Sequence, residues 1–176
     1  MKLNFLPDFY FDTFDKVIAE FLLDNGIKGI VLDVDNTLEP YEHATPGNHV
    51  IEWANSLIAA GISLAIVSNN NKERIDVFNN NFQFPAYSKA KKPFAKNVLA
   101  AMNDMGTNKD NTILMGDQIF TDVWAAHNAS IRAILVPPIK DKTDIFTRMK
   151  RLLEKPILRK YYKKATNLVA EKRSRE

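Results

Sequence analysis

Short, mostly apolar runs alternate along this chain with longer stretches whose apolar residues recur every three or four positions. The runs are Ile27–Asp33, Ser63–Val67, Pro85–Tyr87, Thr112–Met115 and Arg132–Val136. β-Branched residues dominate the longer runs, and they read as strands buried on both faces. Between them the period is helical. Phe14, Val17, Ile18, Phe21 and Leu22 predict a helix within residues 5–25, closed by Asn25-Gly26. Thr45 as N-cap and Pro46 at the first position predict a second helix, with Val50, Trp53, Leu57 and Ile58 inward and Gly61 at its end. Ile75 and Phe78 mark a shorter helix over 72–80. Pro93 opens another, with Val98, Leu99 and Met102 inward and Gly106 past its end. A last one is headed by Asp122. Strand and helix in turn predict an α/β domain: a doubly wound, mostly parallel sheet in a three-layer sandwich.

The unusual polar residues sit where the strands end. Asp33 and Asp35 follow the first strand, Ser68 the second, Lys92 the third, and Asp117 and Asp122 the fourth. In open α/β sheets ligands bind just outside the carboxyl ends of the strands, so these six residues should share one crevice.

Composition removes several kinds of chemistry. There is no cysteine, which excludes disulfides, thiolate metal sites and a cysteine nucleophile. No apolar run approaches the roughly 18 residues of a spanning helix. The opening Met1–Asp8 lacks the apolar core of a signal peptide, so a cytoplasmic home is expected. At 176 residues, 45% of them hydrophobic, the chain is long enough for one ordinary soluble core.

The crevice set suits phosphoryl transfer. Asp33, Asp35 and Asp117 offer hard oxygens for a cation such as Mg²⁺, which takes a few carboxylates and keeps water and substrate phosphate as its other ligands. Lys92 adds a point charge, and the Ser68 hydroxyl can bind phosphate oxygens. One aspartate of the close pair can attack phosphorus and form an aspartyl-phosphate, while the other moves the proton.

Asp33-Val34-Asp35-Asn36-Thr37, then Ser68, then Lys92-Pro93, then Gly116-Asp117-Gln118-Ile119-Phe120-Thr121-Asp122 resemble, in order, the motifs of the haloacid dehalogenase superfamily of phosphatases. The resemblance spans residues 27–138. It implies a Rossmann-like fold, with Asp33 as nucleophile and Asp35 as acid/base. Thr37 and Ser68 would support the nucleophile loop and the phosphate. Lys92 would stabilise the transition-state charge; it is preferred to Lys91 because the family lysine often precedes proline. The implied Mg²⁺ ligands are Asp33, Asp35 and Asp117, with Asp122 a ligand or a partner of the ligands. The Gly-Asp-Gln-Ile-Phe-Thr-Asp form and the Asn-Thr-Leu-Glu-Pro exit resemble the subfamily IIIA group, which includes YqeG-type proteins and phosphatidylglycerophosphate phosphatases. The implied substrate is a phosphomonoester, with that lipid head group the specific expectation and small soluble phosphate esters the alternative. The spacing between motifs leaves no room for a sizeable cap domain.

His43, His49 and His127 fall outside the strand-end set and read as surface or helix residues. Trp53 and Trp124 read as core. Asn69 and Asn70 adjoin Ser68 and can reach substrate, whereas Asn79-Asn80-Asn81 reads as a helix end and turn. Charge is uneven: Arg148–Glu176 carries 11 Lys/Arg against 3 Asp/Glu, while the rest of the chain is net acidic. This divides the chain into a phosphatase domain over 1–143 and a basic helical extension over 144–176. The extension is expected to pack one face on the domain or to hold an anionic partner, a membrane surface or RNA. With a membrane partner the protein would sit peripherally at the inner membrane surface. A non-catalytic binding module built on the same fold is the reading from another class.

Overall fold

The structure, a computed structural model, describes residues 5–140, 153–154, 156–161 and 163. Six parallel strands form one sheet in the order β1-β6-β5-β2-β3-β4. They are β1 (Phe9–Tyr10), β2 (Gly29–Leu32), β3 (Ser63–Val67), β4 (Ala86–Tyr87), β5 (Thr112–Gly116) and β6 (Arg132–Leu135). The helices are α1 (Ala19–Asp24), α2 (Asn48–Ala59), α3 (Lys72–Asn79), α4 (Lys96–Asp104) and α5 (Trp124–Asn128).

Strand alternation sends successive side chains into two cores, one on each face of the sheet. Ile30, Leu32, Leu64, Ile66, Ile113, Met115 and Ile134 join Leu22, Trp53 and Leu57 in the first. Val31, Ala65, Val67, Leu114, Ala133 and Leu135 join Val98, Ala101 and Ala126 in the second. This is the expected three-layer α/β sandwich. Strand order reverses at β2, whose neighbours β3 and β5 lead to opposite edges, so the crevice opens above β2.

The amino-terminal segment departs from the expected helix. Phe9 and Tyr10 pair with Ile134 and Leu135 as an edge strand, a 3₁₀ turn covers Phe14–Lys16, and only Ala19–Asp24 is α-helical. The residues that looked periodic are split: Phe14 falls in the turn, Phe21 and Leu22 in the helix, and Val17 and Ile18 between them. Aromatic side chains favour a strand where an open edge offers a ladder, and β6 offers one. Ile18 is consequently exposed, as are Ile58 and Leu99, which were expected inward.

The start of α2 also differs. Its N-cap is Gly47, with no side-chain cap, rather than Thr45. The Gly47 N–H donates instead to Glu39 Oε1 at 2.7 Å, so a buried carboxylate from the preceding loop stands at the helix start. His43 Nδ1 meets the other Glu39 oxygen at 2.9 Å. Trp53 is core, its indole N–H donating to the Val17 carbonyl at 2.9 Å, while Trp124 is half-buried against Phe5. Asn79 closes α3 as expected, its side chain bonding both backbone groups of Phe84.

Within the extension, the residues described at 153–163 are helical. Ile157 and Leu158 pack on the second core, and Tyr161 stands 6.3 Å from the ring of Tyr10. Ile145, Met149, Leu152, Tyr162, Lys164, Ala165, Leu168 and Val169 of that stretch lie outside the described residues. No helix among the described residues is long and apolar enough to cross a membrane.

Candidate active site

Leu32 is the last residue of β2, and the chain then turns tightly. The Val34 carbonyl accepts N–H groups from Thr37 at 3.1 Å and Leu38 at 2.9 Å, while Asn36 N–H donates to the Glu39 carbonyl at 2.7 Å. Asn36 takes φ = 65°, a left-handed conformation that asparagine tolerates better than most residues. The turn buries Val34 and aims both aspartates into a cavity of about 330 Å³. Ser68, Asn69, Asn70, Lys92 and Asp122 also line it, as do Tyr41, Gln118 and Thr121.

Around Asp33 the site is a charge cluster. Lys92 Nζ lies 2.6 Å from Asp33 Oδ1 and 2.6 Å from Asp122 Oδ1. The Thr37 hydroxyl donates to Asp33 Oδ2 at 3.2 Å. Burial works against a charge on Lys92, but the Asp122 and Asp33 carboxylates outweigh it and push its pKa up, so the ammonium persists. Burial pushes Asp122 up too, reinforced by Asp33 and opposed by Lys92.

The loop after β5 brings in Asp117 and Asp122. A single π-helical turn spans Ile119–Val123 ahead of α5, so Asp122 stands in that turn rather than at the head of the α-helix. Its Oδ2 accepts the Gln118 N–H at 3.0 Å. Gly116 makes room for it: a Cβ there would fall 2.3 Å from Asp122 Cγ.

Asp35 faces other partners. Its Oδ1 meets Arg74 Nε at 3.1 Å and Nη2 at 3.0 Å, and its Oδ2 accepts from the Asn70 amide at 2.8 Å. Arg74 also donates to the Ala44 carbonyl at 2.6 Å and lies over the Phe78 ring. It is anchored in the first turn of α3, which Asn71 caps by accepting the Arg74 N–H.

Asn69 is turned toward the protein. Its Oδ1 accepts the Lys92 N–H at 2.7 Å and its amide donates to the Lys92 carbonyl at 3.2 Å. It holds the backbone of the lysine while still lining the cavity. Ser68 Oγ accepts the Asn70 N–H at 3.2 Å and is buried beside them.

The expected residues therefore meet in one crevice, with a division between the aspartates. Asp33, Asp117 and Asp122 each offer an oxygen within 4.8 Å of the others. The Asp35 side chain, expected among the ligands, is not part of that group; Arg74 and Asn70 hold it instead. The donor set fits a divalent cation: hard oxygens only, and three carboxylates beside one ammonium leave a formal charge of −2. Arg74 was missed in the sequence. Its one local signal is its place, a helical turn beyond the Ser68-Asn69-Asn70 strand end.

The chain belongs to the haloacid dehalogenase-like hydrolase family, whose profile matches residues 10–136. It is 34% identical over 158 residues to the probable phosphatase YqeG of Bacillus subtilis strain 168, an alignment covering 90% of this chain and 92% of that protein. Two solved structures share the fold. The cobalt-bound deoxy-D-mannose-octulosonate 8-phosphate phosphatase of Haemophilus influenzae superposes with a TM-score of 0.54 at 16% identity, covering 73% of this chain and 77% of that one. A 3-deoxy-D-manno-octulosonate 8-phosphate phosphatase described for Vibrio cholerae gives 0.53 at 16% identity, covering 66% and 71%. The chain is thus an enzyme of the hydrolase class, and its family and its Bacillus relative agree with the phosphatase expected from its motifs.

Proposed function

We propose that this protein hydrolyses phosphomonoesters with Mg²⁺ and through an aspartyl-phosphate on Asp33. One observation carries the reading: Asp33 is buried, its carboxylate held between Lys92 and Thr37, with Asp117 and Asp122 each offering an oxygen within 4.8 Å of it.

Asp33, Asp117 and Asp122 would hold the cation, which when bound offsets charge on the transferring phosphoryl group. Lys92, Ser68 and the backbone around Asn69 bind and orient that group. An Asp33 oxygen bonds to phosphorus as the ester P–O bond breaks, and the leaving oxygen takes a proton from Asp35. Asp35 then takes a proton from water, whose oxygen bonds to phosphorus. The acyl-phosphate P–O bond breaks, inorganic phosphate leaves, and Asp33 is regenerated. Arg74 and Asn70 fix the direction of the Asp35 carboxylate for both transfers.

Phosphatidylglycerophosphate is the substrate we favour, with a working place at the inner membrane surface. Exposed Tyr41, Phe94 and Ile139 stand on three loops that leave the carboxyl ends of the sheet, and Tyr41 lines the cavity. Arg159, Lys160 and Lys163 are exposed on the extension, the arrangement a polybasic segment needs at an anionic surface. The division into a catalytic domain over 1–143 and an extension over 144–176 belongs to the same reading.

The test is phosphate release with Mg²⁺ from phosphatidylglycerophosphate in micelles, beside a panel of soluble phosphate esters and the Asp33→Asn variant. Lipid-selective turnover abolished in Asp33→Asn supports the proposal. Equal turnover of small soluble esters removes the lipid assignment, and full cellular function in Asp33→Asn turns the protein into a binding module. Co-sedimentation with anionic liposomes rather than with RNA identifies the partner of the extension.

A further inference from the structure

The carboxyl-terminal segment buries the wrong residue for a solvated helix. Leu153 is 62% exposed while Glu154, its neighbour, is 5% exposed. Glu154 is the only acidic residue between Arg148 and Ala170, in a stretch crowded with Lys and Arg. Burying a carboxylate is costly unless it is hydrogen-bonded. Here it accepts the Ile119 N–H on Oε1 at 2.9 Å.

That N–H is the first of the π-helical turn. Its neighbour, the Gln118 N–H, donates to Asp122. Two consecutive N–H groups are thus held by two carboxylates, one in the site and one from the extension. Continuous contacts run onward from Asp122 to Lys92 and from Lys92 to Asp33. Ile157 and Leu158 seat the segment on the same core that holds Ile119 and Val123. Ile119 is fully buried, so without Glu154 its N–H would need a new partner, and the loop would have to move to supply one.

We infer that Glu154 is a positioning residue: through Ile119 it sets the loop that carries Asp117 and Asp122, so the extension completes the cation-holding side of the site. The inference rests on the proposed reading of that loop as the metal-binding one, and it assigns the extension a role whether or not an anionic surface is present.

The experiment uses the full chain. Mg²⁺ binding is titrated by calorimetry without substrate, and phosphate release from p-nitrophenyl phosphate is measured against Mg²⁺ and against ester. In Glu154→Ala, Mg²⁺ binding should weaken by about 10- to 100-fold, the usual cost of losing a group that orients metal ligands. KM for the ester at saturating Mg²⁺ should stay unchanged. Glu154→Gln keeps an oxygen that can accept the same N–H and should bind Mg²⁺ as the parent does. Leu158→Asp, which unseats the segment but keeps Glu154, should reproduce the loss. Unchanged Mg²⁺ binding in Glu154→Ala overturns the inference, as does an equal loss in the Gln and Ala variants. If Glu154→Ala does not fold, the Gln variant decides: parental Mg²⁺ binding upholds the acceptor role and weakened binding overturns it. Asp117→Asn separates the two levels. If it binds Mg²⁺ normally, the metal reading itself fails; if it loses Mg²⁺ while Glu154→Ala does not, only the role of Glu154 fails.

Discussion

Asp33 and Asp35 stand one residue apart in the chain yet have unlike surroundings. Asp33 is placed among carboxylates and shares a lysine with Asp122. Asp35 is placed among donors, an arginine and an amide that use both of its oxygens. The first region carries excess negative charge; the second is neutralised within the protein. One end of the cavity therefore calls for a cation, and the other holds a carboxylate in a fixed direction. Two residues of the same type acquire different tasks from what the neighbouring strands and helices bring to them.

The contrast breaks most completely at Asp33. Asp33→Asn keeps the shape but removes the carboxylate of the proposed nucleophile, and phosphate release should fall by about 10⁴- to 10⁶-fold, as when other covalent catalysts lose their nucleophile or its partner. Lys92→Met tests the charge argument. It leaves Asp33 and Asp122 buried without their common cation, and unfolding in urea should show a loss of about 3–5 kcal/mol. Added Mg²⁺ should restore part of that stability by binding the folded state alone. Gly116→Ala should leave the circular dichroism spectrum intact while displacing Asp122, lowering kcat by about 100-fold, the cost of roughly a 1 Å misplacement.

At the other end, Arg74→Lys should lower kcat by about tenfold with little change in Mg²⁺ affinity, because an ammonium cannot reproduce the guanidinium contacts to Asp35 and Ala44. Equal effects of Arg74→Lys on kcat and on Mg²⁺ binding would erase the distinction between the two regions.

The smallest effect is expected far from both. Burial of Asp8 raises its pKa, but hydrogen bonds from His127 and the Ala133 N–H, with the charge of Arg132, outweigh burial and leave it below its ordinary 3.8. A depressed carboxylate contributes stability above its unfolded value and loses it as pH falls through the folded one. Asp8→Asn should therefore flatten the decline in Tm below pH 4 without altering turnover at neutral pH.

The parts legible in the sequence were those with a local signature. Buried parallel strands are apolar throughout, so β2, β3, β5 and β6 could be placed, and the polar residues at their ends followed. Edge strand β1 could not, since Phe9 and Tyr10 carry no period and are strand only because β6 lies beside them. Asp33 and Asp117 were visible because they directly follow strands, and Lys92 because it stands before Pro93 in the segment after another. Arg74 was not, because nothing local distinguishes a surface arginine from one that turns back across a loop to Asp35. Glu154 was hidden in a basic stretch whose composition points to solvent, and its burial depends on a loop 35 residues earlier. The N-cap of α2 was misplaced for a similar reason: Glu39, outside the helix, does the work that Thr45 could have done.

The sheet ends on both sides in strands of two residues, Phe9–Tyr10 and Ala86–Tyr87. A ladder that short gives an approaching chain almost no template to extend. The longer, apolar strands that would add readily to another sheet are all enclosed between neighbours. Among the described residues, the borders of the sheet are thus its least extensible parts.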